Sequence, residues 1–257
     1  MEIIDETLAW EIIEKYTTEC AQLDPESLVA VYVIGSLSDG YYRPGESDID
    51  AVLLVSDCSE SVWGNSDEPS SQLSGLNKKY KKKYGIPKDF GPFPLQLKEL
   101  YPPYAYNGVL TMEIARLKLQ GKAVYGDYPI GQIPMPARED FLVDFENFEK
   151  WWDSEFSKDF RIEEFSVRAC VNTILMHMNR YLIIEKDIIQ FNKLKIIPLY
   201  TSFNSPFQDQ QVNGIVERYL FQSDIITEEE KYSIRKYASY LRSSMNTLLG
   251  ISNKSDI

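Results

Sequence analysis

The chain has 257 residues, 44% of them hydrophobic, which is core enough for one large domain or two smaller ones at roughly 100–200 residues per domain. Acidic side chains outnumber basic ones, 39 to 27, for a net charge of −12. That sign works against a polyanion, so no DNA partner is expected, and a small or cationic molecule is favoured.

Residues 2–23 carry Ile4, Leu8, Ile12 and Tyr16 at helical spacing, with Ile3 and Ile13 widening the stripe, which predicts an amphipathic helix. Asp24-Pro25-Glu26-Ser27 breaks it. Leu28–Ile34 is a short apolar, β-branched run and reads as a buried strand. Gly35-Ser36 ends that strand, and a loop follows with Asp39-Gly40 and Arg43-Pro44-Gly45. Ile49–Val55 reads as a second strand. Residues 56–75 are polar and read as a surface loop. A basic helix is expected over 76–84, and its lysines Lys78, Lys79, Lys81, Lys82 and Lys83 read as a solvated face. Residues 88–98 predict a third strand, which Pro92 and Pro94 confine to an edge or force into a bulge. Residues 109–120 have helical periodicity closed by Gly121. Pro129, Pro134 and Pro136 then mark a linker.

Beyond residue 138 the period is helical throughout. Phe141, Phe145, Phe148, Trp152 and Phe156 share one stripe, and 167–185 and 228–249 repeat the pattern. The expected fold is therefore α+β: a mixed sheet flanked by helices over 1–137, then an all-α domain over 138–257. Residues 139–164 are dense in acids, which reads as a solvated helix face or as an anionic wall for a cationic ligand. Trp151 and Trp152 belong to the helix stripe, with stacking on a ring as the alternative.

No run of about 18 apolar residues exists, so no membrane span is expected. Met1-Glu2-Ile3-Ile4-Asp5-Glu6 lacks the pattern of a signal peptide, which predicts a cytoplasmic protein. Cys20, Cys58 and Cys170 are odd in number and far apart, against a disulfide framework and against a zinc knuckle. His177 is the only histidine, and its apolar neighbours Ile174, Leu175, Met176 and Met178 make it a core or interface residue.

The chemistry lies in two short segments. Asp48 and Asp50 are two apart at the start of a strand, so both side chains project to one face while Ile49 turns to the core. Two carboxylates on one face suit Mg2+, which prefers oxygen ligands and keeps several waters. A glycine at position 35 lets backbone approach a phosphate, and the Ser36 hydroxyl can hold its oxygens. Together these predict a site for a metal-bound nucleoside triphosphate, with an acceptor hydroxyl aimed at its α-phosphorus.

Gly35-Ser36-Leu37-Ser38-Asp39-Gly40 followed by Ser47-Asp48-Ile49-Asp50 and the apolar strand 51–55 resembles the signature of the polymerase-β-like nucleotidyltransferase superfamily. The loop and the two-domain plan resemble the aminoglycoside (streptomycin/spectinomycin-type) nucleotidyltransferases, and so, more weakly, does the run from Val167 to Lys193. The resemblance implies that Gly35 and Ser36 hold the phosphates of ATP, or of another NTP, and that Asp48 and Asp50 ligate Mg2+. It also implies that Lys193 reaches the triphosphate. A third carboxylate on a later strand would complete the metal site and act as general base. Asp89 is preferred over Gln96, because an amide neither takes a proton nor offsets metal charge; Glu99 and Glu113 are further options. Arg43 is a weaker phosphate contact. The implied reaction transfers AMP from ATP to a hydroxyl of a small, aminoglycoside-like acceptor. The alternatives are a nucleotidyltransferase acting on protein or RNA, of the toxin–antitoxin kind, and an inactive nucleotide-binding relative.

Overall fold

The computed structural model describes residues 3–45, 47–56, 59–64, 71–86, 90–104, 110–155, 166–203, 205–222 and 226–250. The chain divides into two units, residues 1–105 with 112–136 and residues 106–111 with 137–257.

In the first unit the apolar run Leu28–Ile34 forms β1, and its two neighbours are set by what its faces must cover. β2 (Asp50–Val55) and β4 (Lys122–Tyr125) both pair antiparallel to β1, while β3 (Phe93–Gln96) runs parallel to β2. The sheet order is β3-β2-β1-β4, a mixed four-stranded sheet among the described residues. Val31 and Val33 of β1, with Ile49, Ala51, Leu53 and Val55, bury one face against Ile12, Ile13 and Tyr16 of α1 (Glu6–Leu23). Burying an aliphatic side chain of this size contributes about 1.5–3 kcal/mol, so these six positions anchor the sheet on α1.

Helix α1 starts later than the stripe suggested. Asp5 caps it, its carboxylate accepting from Leu8 N at 2.8 Å, and Ile3 lies outside the helix and exposed. Gly35–Asp39 forms the single turn α2, and Glu60–Trp63 forms α3 within the stretch expected as loop. Trp63 is fully buried there, its indole N–H donating to Ser27 Oγ at 2.7 Å. One buried aromatic with a partner for its N–H is enough to hold a polar segment down.

Helix α4 spans Gln72–Tyr84, longer than expected because Ser71 caps it; its hydroxyl accepts from Ser74 N at 3.1 Å. Its five lysines are exposed, as a solvated face requires, and three lie in the last turn, where they complement the helix dipole. Its inner face, Leu73, Leu76 and Tyr80, packs on α1. Tyr16 donates to Asn77 Oδ1 at 2.6 Å, and Asn77 Nδ2 donates to Pro92 O at 3.3 Å, tying α1 and α4 to the approach of β3. β3 takes the edge, one of the two placements the prolines allow. Helix α5 (Leu110–Gln120) leads into β4, a short and mostly exposed edge strand that the sequence pattern did not announce.

In the second unit the described elements are all helices: α6 (Arg138–Glu155), α7 (Val167–Lys186), α8 (Lys193–Ser202), α9 (Gln210–Gln222) and α10 (Glu228–Leu248). Helix α7 is buried along most of its length, and α10 packs along it. Phe141 and Phe145 face inward as the stripe predicted, whereas Phe156 and the side chains of Trp151 and Trp152 lie outside the described residues.

The acidic stretch is only partly a solvated face. Asp144 and Glu149 are fully buried. Glu149 binds Arg180 Nη1 at 2.5 Å and Arg242 Nε at 3.0 Å, joining α6, α7 and α10. The Arg180 guanidinium also lies 4.8 Å from the Phe145 ring centre. Asp144 accepts from Thr111 N at 2.7 Å and from the Thr111 hydroxyl. His177 is fully buried beside this cluster, the core position its neighbours implied. Burial first, then the charges of Arg180 and Arg242, hold its pKa well below the usual value. Cys20 and Cys170 are buried thiols, and burial pushes Cys20 up to about 12; Cys58 lies outside the described residues. Among the described residues no helix is long and apolar enough to cross a membrane.

Two outcomes follow for stability. Glu149→Ala leaves two arginines without their carboxylate, one of them fully buried, and should cost about 3–5 kcal/mol in urea unfolding. His177 stays neutral in the folded protein but takes a proton in the unfolded chain below about pH 6.5. Stability should therefore fall as pH drops through 6.5, and His177→Gln should remove that component. Urea midpoints measured between pH 5 and 8 on both variants check the two expectations.

Candidate functional site

Ile34, the last residue of β1, pairs with Asp50, the first of β2. The chain must turn sharply directly after Ile34, and Gly35 makes the turn with φ +73°, a conformation that disfavours any side chain. The same glycine faces the acid across the ladder: a Cβ placed on it would stand 2.9 Å from Asp50 Oδ2. Gly-Ser was expected to open a loop, but residues 35–39 wind into the helical turn α2. Leu37 is buried beneath it, Ser38 Oγ donates to Gly35 O at 2.9 Å, and Tyr41 N donates to Ser36 O at 3.1 Å. Ser36 is half-buried in this turn.

The connection to β2 is closed by its own residues. Arg43 N donates to Ser47 Oγ and Ser47 N donates to Arg43 O, both at 2.9 Å. Ser47 is thus a loop lock, a role its place in the Ser-Asp-x-Asp motif does not reveal. Asp48 follows half-buried, with Oδ1 shut from solvent. Its charge reaches Tyr42, whose phenol is pushed up by burial first and then by Asp48 and Asp5. Ile49 is fully buried, as the alternation required, and Asp50 is half-buried on the opposite face from it.

A residue that sequence reasoning missed completes the surroundings of Asp50. The bridge Ile49↔Phe90 and the pair Val52↔Phe93 set Gly91 level with Asp50. A Cβ on Gly91 would lie 3.2 Å from Asp50 Oδ1. The carboxylate therefore stands in a slot with a glycine on either side, and both oxygens face positions where a side chain is missing. Only the register of β3 reveals this, because Gly91 is 41 positions from Asp50 in sequence.

The remaining candidates separate clearly. Gln96 pairs with Val55, roughly 16 Å along the strand from Asp50 at about 3.3 Å per residue, and so is not the third ligand. Glu99 caps the 3₁₀ turn Leu97–Leu100, accepting from Gln96 N at 2.7 Å. Glu113 pairs with Arg116 at 3.1 Å within α5. Asp89 lies outside the described residues. Lys193 belongs to the second unit, at the start of α8, where its amine donates to Asn172 Oδ1 at 3.1 Å. Among the described residues, no group of three or more His, Cys, Asp or Glu is placed to share a metal ion; the first unit brings Asp48 and Asp50 together as a pair.

No family model and no curated protein matches this chain. Among solved structures, a toxin-antitoxin with AMP-PNP aligns with 56% of this chain and 91% of that one, at 18% identity and a TM-score of 0.29, too loose a superposition to argue from. The spectinomycin adenyltransferase AAD(9) from Enterococcus faecialis, solved with ATP and spectinomycin, aligns over 92% of this chain and 99% of that one, at 15% identity and a TM-score of 0.64. The likeness covers nearly the whole of both chains, and this protein shares the fold of that enzyme.

Proposed function

We propose that this protein is a nucleotidyltransferase that moves AMP from ATP to a hydroxyl of a small, cationic, aminoglycoside-like acceptor. The observation that carries the reading is the Asp50 carboxylate in its glycine slot, two residues from Asp48 and across the ladder from Gly35-Ser36. The same fold supports ATP-dependent adenylyl transfer in a solved relative of low identity.

The residues fit a divalent cation. Hard carboxylate oxygens are the donors Mg2+ prefers, and a side chain at Gly35 or Gly91 would crowd the two Asp50 oxygens. Asp48 and Asp50 would hold the ion, which when bound offsets the charge of the triphosphate. Gly35 gives the phosphates access to backbone, and the half-buried Ser36 presents a hydroxyl beside them. Asp89 is assigned as general base. In the step itself the acceptor oxygen bonds to the α-phosphorus, the bond to the bridging oxygen breaks, and pyrophosphate leaves. The acceptor proton passes to the Asp89 carboxylate. A net charge of −12 favours a cationic acceptor over a polyanionic one.

The test is to incubate the protein with ATP, Mg2+ and a panel of aminoglycosides and aminocyclitols, measuring pyrophosphate and the mass of the acceptor. One acceptor should gain an adenylyl group. Asp48→Ala and Asp50→Ala should each slow release at least on the order of 10²-fold, and Asp89→Asn by about 10²–10⁴-fold. Absence of release with every acceptor, or release unchanged in the Asp48 and Asp50 variants, overturns the reading.

A further inference from the structure

Gly91 has no conformational reason to be glycine. Its φ lies outside the left-handed region, so its backbone suits any residue. Among the described residues a Cβ there would meet one atom within 4 Å, Asp50 Oδ1 at 3.2 Å. That separation is tighter than ordinary van der Waals contact, so with a methyl at 91 something must give.

The backbone of Gly91 is the side least able to retreat. Its N–H donates to Ile49 O at 3.2 Å. Phe90, next to it, is buried, edge-on to Tyr16 at 4.8 Å and stacked on Tyr80 at 5.9 Å. The carboxylate is bounded on its other flank too, by the backbone of Gly35 near Oδ2. A methyl at 91 would therefore turn the carboxylate about its own axis and leave the chain where it is.

We propose that Gly91 is a positioning residue for Asp50: its missing side chain holds Oδ1 in the orientation in which the Asp48–Asp50 pair takes a divalent cation. The proposal rests on the metal reading above and adds to it the specific residue of β3's approach that keeps the ligand aimed. The two glycines of the slot differ in kind. Gly35 serves both chain and carboxylate, since its φ is +73° and its Cβ would clash; Gly91 serves the carboxylate alone. Supporting groups that orient a metal ligand typically account for 10–100-fold in metal affinity.

The experiment measures Mn2+ binding to the full chain by the loss of the free-ion EPR signal, without nucleotide, alongside the thermal midpoint without metal. Asp50→Ala should abolish binding at the strong site. Gly91→Ala should weaken Mn2+ binding on the order of tenfold while the metal-free midpoint stays at the wild-type value. Gly35→Ala should instead lower the metal-free midpoint, because alanine is strained at that φ. In the Asp50→Ala background, adding Gly91→Ala should change neither residual binding nor midpoint. Wild-type Mn2+ affinity in Gly91→Ala overturns the proposal. So does a lowered midpoint or failure to fold, because the proposal assigns no cost to the backbone. Wild-type binding in Asp50→Ala overturns the metal reading itself, a different and separable failure.

Discussion

The pairing of Ile34 with Asp50 is the constraint on which the site depends. It places the first residue of β2 beside the last of β1, so the turn at Gly35 falls against the Asp50 carboxylate. The register is not set by the acids. Ile49, Ala51, Leu53 and Val55 on β2 and Val31 and Val33 on β1 are fully buried against α1 and α4, and Val52 and Leu54 are fully buried on the other face of β2. A slip of one residue would turn Asp48 and Asp50 into that apolar layer and Ile49 out of it. Desolvating two carboxylates costs far more than a misplaced isoleucine. Hydrophobic burial thus aims the polar pair.

The same core fixes the third side of the site. Phe90 is held edge-on to Tyr16 and flat on Tyr80, and Tyr16 is itself pinned by Asn77. Asn77 bonds in turn to the carbonyl of Pro92. Aromatic pairs in these geometries contribute about 0.5–1.5 kcal/mol each beyond their buried area. They hold Phe90, and with it the neighbouring Gly91, beside Asp50.

Much of this was legible in the sequence, and the boundary of legibility has a physical cause. β1, β2, the Gly-Ser turn and the Asp-x-Asp pair are local, and a few consecutive residues reveal each of them. Trp63 anchoring a polar segment, the exposed edge strand β4, and Gly91 beside Asp50 depend on partners far along the chain. The acidic stretch shows the same limit. Composition marks 139–164 as a charged face, yet Asp144 and Glu149 are buried because Thr111, Arg180 and Arg242 meet them there. No window of sequence around Glu149 contains those arginines. The prolines were more informative. Because Pro lacks an N–H, Pro92 and Pro94 left β3 an edge position or a bulge, and it takes the edge.

The buried ion cluster does for the second unit what strand register does for the first. Helices that pack by apolar stripes alone tolerate more than one rotation or slip, since one leucine-like contact replaces another at little cost. A fully buried Glu149 that must meet Arg180 of α7 and Arg242 of α10 removes that tolerance, because any other arrangement leaves charge unpaired in the interior. Asp144 adds a second negative charge felt by Arg180, and His177 stays neutral beside the cluster. The two units thus solve one problem in opposite ways. In the first, apolar burial places charges where a ligand can meet them. In the second, charges sealed from solvent decide how apolar helices meet. A fold specified by burial and a handful of such fixed points asks little of the remaining positions, which is how two chains with 15% of residues in common arrive at one architecture.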